Sequence, residues 1–237
     1  MSRNGHRESG EPTNAEIEDA TKALFRSIAL ERDGYYDARR GGRPRLSVWQ
    51  RRIRRIVESM LDLGLRREPA PRRLLDAGCG RGDFTLALAA RYPRLEEVIG
   101  CDFSPQLLEL ARSLRPAPSR IRFLVGELTR LPPELAEIDV TICLNVLHHI
   151  PRERLTTALG ELARVTARTL VLEIKNARSP YWGLHSRRVE GVAIFPVTVD
   201  RVREALSGHG FELVERRAIF GLEWLSPLVV LRFERGG

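Results

Sequence analysis

A chain of 237 residues can bury a full hydrophobic core, and a composition 43% hydrophobic and 30% charged is that of one globular catalytic-size domain. No apolar run reaches the ~18 residues of a membrane span, no signal-peptide pattern opens the chain, and Cys79, Cys101 and Cys143 form neither a C-x-x-C pair nor an even set, so reduced thiols, no metal site and a cytoplasmic location are expected. The net charge of +8 is concentrated between Arg39 and Arg73, where twelve arginines face three acids. RNA phosphates, anionic lipid heads or an acidic substrate could meet such a segment, and so could plain solvent, because Lys22 and Lys175 are the only lysines and arginine is the ordinary cation of this sequence.

Residues 1–14 are polar and without period, which predicts a disordered tail. A helix is predicted from Ala15 to about Leu30, followed by an aromatic and charged link from Asp33 to Arg40 that contains Tyr35 and Tyr36. A second helix, Ser47 to Leu63, sets Trp49, Ile53, Ile56, Val57 and Met60 on one face and Arg51, Arg52, Arg54 and Arg55 away from it, and stops at Gly64. Residues 15–68 therefore read as an N-terminal helical cap. Glu68-Pro69-Ala70-Pro71 breaks the chain before the remaining domain, 69–237.

From Arg73 a buried-strand pattern runs straight into Asp76-Ala77-Gly78-Cys79-Gly80-Arg81-Gly82-Asp83, a glycine-rich turn that opens a helix near Phe84 to Arg91. Glycines at 78, 80 and 82 allow a sharp turn and close approach of the backbone to a small molecule, and the helix start supplies free N–H groups. A dinucleotide fingerprint needs G-x-G-x-x-G, but position 83 is Asp and the spacing is G-x-G-x-G. The string D-x-G-C-G-x-G resembles the first motif of class I S-adenosylmethionine (SAM) dependent methyltransferases. That resemblance implies SAM as cofactor, with Asp76 near its methionine end and Gly78, Cys79, Gly80 and Gly82 passing beneath it; the bland alternative is an ordinary glycine-rich connection.

A second strand, Val98 to Phe103, ends in Asp102, about twenty residues past the glycines, where an acid can accept both ribose hydroxyls of a nucleoside. Ser104-Pro105 then reads as the cap and first turn of a helix to Leu114, so Asp102 could equally serve as a cap. A third strand, Ile121 to Leu128, ends where the family commonly has Gly-Asp and an apolar residue; the resemblance sets Glu127 near the adenine amine and Leu128 against the ring, and a solvated loop acid is the alternative. A short helix is predicted over Pro132 to Ala136. A fourth strand, Ile138 to Leu144, runs into Asn145-Val146-Leu147-His148-His149-Ile150-Pro151. In resembling enzymes the residue after this strand touches the cofactor through its backbone, and Leu-His-His-Ile is common among small-molecule members, whereas the Asn/Asp-Pro-Pro-aromatic run of nucleic-acid amino-methyltransferases is missing. Cys143 lies inside the strand and is no cytosine-type nucleophile.

The remainder continues the alternation: helix Arg152 to Val165, strand Thr169 to Ile174, a long connection from Asn176 to Pro196, helix Val199 to Ser207 closed by Gly208-His209-Gly210, and strands Phe211 to Glu215 and Leu228 to Phe233. Strand and helix alternating imply an α/β fold with a parallel sheet covered on both faces, and the final pair joined without a helix implies an antiparallel edge. A Rossmann-like seven-stranded, mostly parallel sheet with a reversed edge strand is what the family resemblance implies, over roughly Arg73 to Phe233.

Tyr36-Asp37 and the downstream Trp49-Gln50-Arg51-Arg52 are similar, more narrowly, to the N-terminal region of the ubiquinone and menaquinone biosynthesis C-methyltransferases, in which N-terminal helices cap the cofactor. Tyr35, Tyr36 and Arg40 could then close over it, or form an exposed hairpin. An acceptor pocket is expected where loops meet at the carboxyl ends of the strands, drawing on the N-terminal link, the His148-His149 turn, and Tyr181, Trp182 and His185 of the long connection, which reads as a substrate lid, as a partner surface, or as a short helix packing on the core. His148 and His149 are candidate general bases, because an imidazole near neutral pKa can take a phenol or enol proton; Glu173 is a weaker one. Three functions stay open from the sequence: a methyltransferase for a small quinone-like, lipid or secondary-metabolite acceptor, one for RNA or protein docked through Arg39 to Arg73, and a non-catalytic SAM-binding module regulating a partner. Peripheral contact with an anionic membrane fits the basic segment, and nothing in the sequence demands an obligate protein partner.

Overall fold

The computed structural model describes residues 13, 16, 19–24, 27, 48–65, 69–113, 118–184, 188–189 and 192–236. Helix α1 (Val48–Gly64) precedes β1 (Arg73–Ala77), α2 (Asp83–Arg91), β2 (Glu97–Asp102), α3 (Pro105–Ser113), β3 (Ile121–Val125), β4 (Ile138–Cys143), α4 (Arg152–Val165), β5 (Thr166–Lys175) and the single turn α5 (Tyr181–Leu184). A two-residue hairpin, β6 (Arg188–Val189) with β7 (Val192–Ala193), then leads to α6 (Val199–Ser207), β8 (Phe211–Ala218) and β9 (Leu228–Arg235). One seven-stranded sheet has the order β3-β2-β1-β4-β5-β9-β8. Its first five strands are parallel, and β9 is antiparallel to both β5 and β8. The reversed strand is thus inserted one place in from the edge, and β8 at the edge runs with the parallel set.

Period-two side chains divide the core between the two faces of the sheet. Leu75, Ala77, Leu170, Leu172 and Ile174 face α4 and α6, whose Leu155, Leu159, Leu162, Val202 and Leu206 are buried there. Leu74, Val140, Ile142, Val171 and Val230 face the other way, toward Leu88 of α2, Leu108 of α3 and Val57, Met60 and Leu61 of α1. Helix α1 therefore shares a core with the sheet, over β5 and β9. Fully burying a side chain of this size contributes about 1.5–3 kcal/mol, so the Met60–Leu61 stripe holds α1 down firmly. Its Arg51, Arg52 and Arg55 are exposed, as its amphipathic pattern predicts.

The helix expected over Pro132 to Ala136 does not form. Five residues starting with two prolines are too few to repay nucleation, and they make one turn closed by Leu135 N–H to the Pro132 carbonyl. Helix α4 secures that turn from its side: Arg164 donates to the carbonyls of Leu131 and Leu135, and Glu161 accepts from the Leu131 N–H. Strands β5, β8 and β9 run two to four residues longer than their apolar runs, because their outer residues pair in the ladder whatever their polarity.

Candidate functional site

The glycine turn connects the carboxyl end of β1 to α2, and its backbone is left-handed three times. Gly78, Gly80 and Gly82 have φ of 81°, 54° and 72°. Two of them also lack room for a side chain: a Cβ on Gly78 would stand 2.3 Å from Val146 Cγ2, and one on Gly82 2.7 Å from the Phe123 ring. A Cβ on Gly80 would meet no atom within 4 Å, so the middle of the turn faces open space. The N–H groups of Gly78 and Cys79 are both taken by the Cys101 carbonyl, which ties the turn to β2.

Two buried carboxylates hold this turn. Asp76, 4% exposed at the end of β1, accepts from Thr85 Oγ1 of α2 at 2.6 Å. Burial, and secondarily the charge of Asp102, raise its pKa to about 6, against the lowering effect of the Thr85 hydroxyl. Asp102, 5% exposed at the end of β2, accepts from the Gly80 N–H through Oδ2 and from the Ser104 N–H through Oδ1, both at 2.9 Å. The Phe103 backbone N–H also bonds this carboxylate, so of its roughly four lone-pair sites one is left to accept a hydroxyl. Ser104 in turn caps α3 by accepting from the Leu107 N–H, and Phe103 is half-buried beside them.

The third and fourth strand ends complete the rim. Glu127 is ion-paired at 2.7 Å with Lys22, which lies in a helical stretch, residues 19–24, ahead of the sheet domain in sequence. Leu128 is buried in the core with Leu131 and Leu135. Asn145, directly after β4, is a non-glycine residue at φ 59°, a conformation that costs of order 1–3 kcal/mol and collects at functional sites. Its Oδ1 accepts from Lys175 Nζ at 3.1 Å, and the same ammonium donates to Glu173 at 3.1 Å.

His148 and His149 occupy a 3-10 turn, Leu147–His149, with ring centroids 4.0 Å apart. Burial first, then the charge of Lys175, holds both imidazoles neutral: His148 titrates well below its ordinary value and His149 is pushed down to about 4. NMR titration of the histidine ring carbons is therefore expected to show His149 uncharged down to about pH 5; a midpoint near 6.5 would refute the buried geometry of the turn. His149 lies against the Ala193 backbone and the His148 carbonyl accepts from the Phe195 N–H, so residues 193–195 close over the histidine turn.

Of the aromatic residues expected to line an acceptor pocket, Tyr181 is exposed. Trp182 points the other way: it is buried, and its indole N–H donates to the Pro227 carbonyl at 3.1 Å. It works as an anchor, because a buried indole N–H must find an acceptor and the β8–β9 loop supplies one. Asn176 and Ser179 add bonds to the carbonyls of Glu223, Ser226 and Leu225 in that loop. With its backbone secured, the loop presents Phe220, Leu222, Trp224 and Leu225 to solvent, with Trp224 58% exposed. This apolar rim lies at the carboxyl end of β5, on the same side of the sheet as the glycine turn. Tyr35, Tyr36, Arg40 and His185 lie outside the described residues, as do six of the twelve arginines of the basic segment; of the other six, Arg54 pairs with Glu58 and Arg73 with Glu97.

Sequence reasoning missed Lys175, the seating of Gly82 against Phe123 and the exposed loop. Lysine rarity and Trp224 in an aromatic-poor chain were the available signals.

Residues 74–169 match the family model described as a methyltransferase domain. The chain is 39% identical over 143 residues to the demethylmenaquinone methyltransferase of Thermus thermophilus, covering 57% of this chain and 58% of that protein. It is 34% identical over 142 residues to the corresponding protein of Deinococcus radiodurans, covering 55% and 58%. The chain thus spans somewhat over half the length of these relatives. Among solved structures it resembles the magnesium protoporphyrin IX methyltransferase of Synechocystis PCC 6803 with bound SAM, at a TM-score of 0.67 and 20% identity, over 97% of this chain and 100% of that one.

Proposed function

The chain belongs to the class I SAM-dependent methyltransferase superfamily, and from that premise we propose that it binds SAM and transfers its methyl group to a small-molecule acceptor with an apolar body, quinone-like, lipid or secondary metabolite. The observation that carries this reading is the left-handed glycine turn latched by Asp102 at the carboxyl ends of parallel strands, where ligands of open α/β sheets bind. In this reading the glycine turn passes beneath the cofactor, with Asp76 and Asn145 at its methionine end, Asp102 and Phe103 at the ribose, and Glu127 and Leu128 toward the adenine. Glycines that a Cβ could not replace, next to one that faces open space, make a cradle of suitable shape. When bound, SAM supplies an already activated methyl on a sulfonium; the chain's own residues must orient the acceptor along the S–CH₃ axis and exclude water.

Two observations favour a small acceptor over RNA or protein. The exposed rim of Phe220, Leu222, Trp224 and Leu225 is apolar, and Arg54, Arg72 and Arg73 of the basic segment are engaged with Glu58, Glu96 and Glu97. The two demethylmenaquinone methyltransferase relatives support a quinone-like acceptor in particular. The test is incubation of the purified protein with methyl-labelled SAM and a cell extract, then separation into lipid, aqueous small-molecule, RNA and protein fractions. Label in the lipid or small-molecule fraction is expected. Label in RNA or protein would overturn the acceptor class, and saturation with SAM without label anywhere would favour a regulatory SAM-binding module.

The buried Asp76 makes a further prediction. Its folded-state pKa, about 6, lies above the unfolded value, so its ionisation costs the cofactor-free protein stability above pH 6, by at most about 3 kcal/mol, and the cost is relieved as pH falls from 6 toward 4. Asp76→Asn, which can still accept from Thr85, is therefore expected to melt higher than the wild type at pH 7, lose that advantage near pH 4.5, and bind SAM poorly at both. Equal melting of the two proteins at pH 7 would contradict the burial argument.

A further inference from the structure

The polar groups at the carboxyl ends of β4 and β5 converge on a single lysine. Lys175 closes β5, and its ammonium donates to Glu173 and to Asn145, both at 3.1 Å. Residues two apart in a strand share a face, so Glu173, 3% exposed, lies beside it and fixes the direction of an ammonium whose side chain is only 12% exposed. Asn145 reaches it from a strained left-handed backbone. An ammonium carries three N–H bonds, and two are engaged among the described residues. The buried His148 follows shortly after Asn145, and its Nδ1 has no hydrogen-bond partner among the described residues. Burial, and after it the charge of Lys175, hold this imidazole neutral.

We infer that Lys175, oriented by Glu173 and Asn145, binds the developing oxyanion of a phenolic or enolic acceptor, with His148 as the neighbouring proton acceptor. The inference rests on the methyl-transfer reading and names the chemistry of the acceptor atom. The acceptor O–H bond breaks and its proton passes to the His148 imidazole, a base that burial and Lys175 weaken, so the transfer depends on Lys175 stabilising the oxyanion that forms with it. The remaining oxyanion lies against the third N–H of Lys175, whose side chain is mostly buried, and a charge-assisted contact of this kind is about twice as strong as a neutral one. An electron pair of that oxygen, or of the ring carbon conjugated with it, forms the bond to the methyl group, and the S–CH₃ pair leaves with sulfur as S-adenosylhomocysteine. For a carbon acceptor, the displaced ring proton is released to solvent and the hydroxyl is restored. A compact ammonium suits this position better than a guanidinium, since it directs three separate bonds from one point.

The test uses the full chain saturated with S-adenosylhomocysteine and 4-nitro-1-naphthol, whose phenolate, unlike its phenol, absorbs in the visible. The bound probe is expected to ionise about one pH unit or more below the free probe. Lys175→Met should abolish that shift and Lys175→Arg restore part of it, with S-adenosylhomocysteine affinity by calorimetry changed less than about threefold in both. Glu173→Gln, which removes a competing carboxylate and keeps the lysine, should lower the ionisation of the probe further, and it serves as well if Lys175→Met does not fold. Ionisation unaltered in Lys175→Met and Glu173→Gln overturns the proposal, as does failure of the probe to bind the wild type. A loss of about tenfold or more in S-adenosylhomocysteine affinity in Lys175→Met would assign the ammonium to the cofactor's carboxylate instead, and likewise overturns it. Methyl transfer is scored separately by the labelled-extract experiment, so the two readings fail by different results.

Discussion

Gly78→Ala is expected to lose SAM binding and to destabilise the fold by about 2–5 kcal/mol, from two causes that can be separated. One is the backbone: at φ 81° an alanine Cβ crowds its own carbonyl, which costs about 1–2 kcal/mol. The other is packing: that Cβ would lie 2.3 Å from Val146 Cγ2, far inside van der Waals contact, so either the turn or the start of the histidine turn must move. Overpacking of this kind costs about 1–3 kcal/mol. Val146→Ala in the same chain should recover the packing part and leave the backbone part, so a double-mutant cycle by chemical denaturation is expected to show a coupling of about 1–3 kcal/mol. Additive effects would mean that Val146 does not set the requirement for glycine. Gly80→Ala, at φ 54° but in open space, should cost only the backbone part.

Asp102→Ala is expected to weaken SAM binding by about 1.5–3 kcal/mol, the range for hydrogen bonds to a charged group, if the carboxylate accepts a ribose hydroxyl. The structure adds a second loss. Without the carboxylate, the N–H groups of Gly80, Ser104 and Phe103 lose their acceptor, and the fold should lose about 1–3 kcal/mol for each that stays buried and unsatisfied. Asp102→Asn separates acceptance from charge. Its amide has one oxygen to offer, so the NH₂ group must confront either the Gly80 or the Ser104 N–H, donor against donor, and the variant should resemble alanine rather than wild type. Calorimetry with SAM, together with denaturation of the free protein, checks both. Wild-type affinity in a folded Asp102→Ala would remove this residue from the cofactor site.

The elements most legible in the sequence are those whose local and global demands agree. Helix α4 and helix α6 form over the residues that their apolar period marks, and β1, β2 and β4 follow their buried runs to within a residue or so, because each run is both an intrinsic strand former and a core segment, whereas β3 stops at Val125, three residues short of the Leu128 expected. The glycine turn is legible for the same reason: Gly at 78, 80 and 82 signals positive φ, and all three adopt it. The Pro132 to Ala136 helix failed where the pattern was too short for period to mean anything. Trp182 reads in the sequence either as a pocket wall or as part of a short helix packed on the core, and only the acceptor for its indole N–H selects the second.

The sequence by itself determined the order of strands and helices, the bend at the glycines and the acids that flank it, since these follow from side-chain size, period and turn chemistry within a few residues of chain. Only the tertiary structure decided which groups meet across distance. It brings Lys175 to Asn145, thirty residues apart, and Lys22 to Glu127, and it makes both histidines uncharged, with His148 buried and His149 half-buried. The physical reason is that charge state and hydrogen-bond partnership depend on the dielectric and on neighbours supplied by the parallel order of β1, β4 and β5, which places their carboxyl ends side by side whatever their separation along the chain.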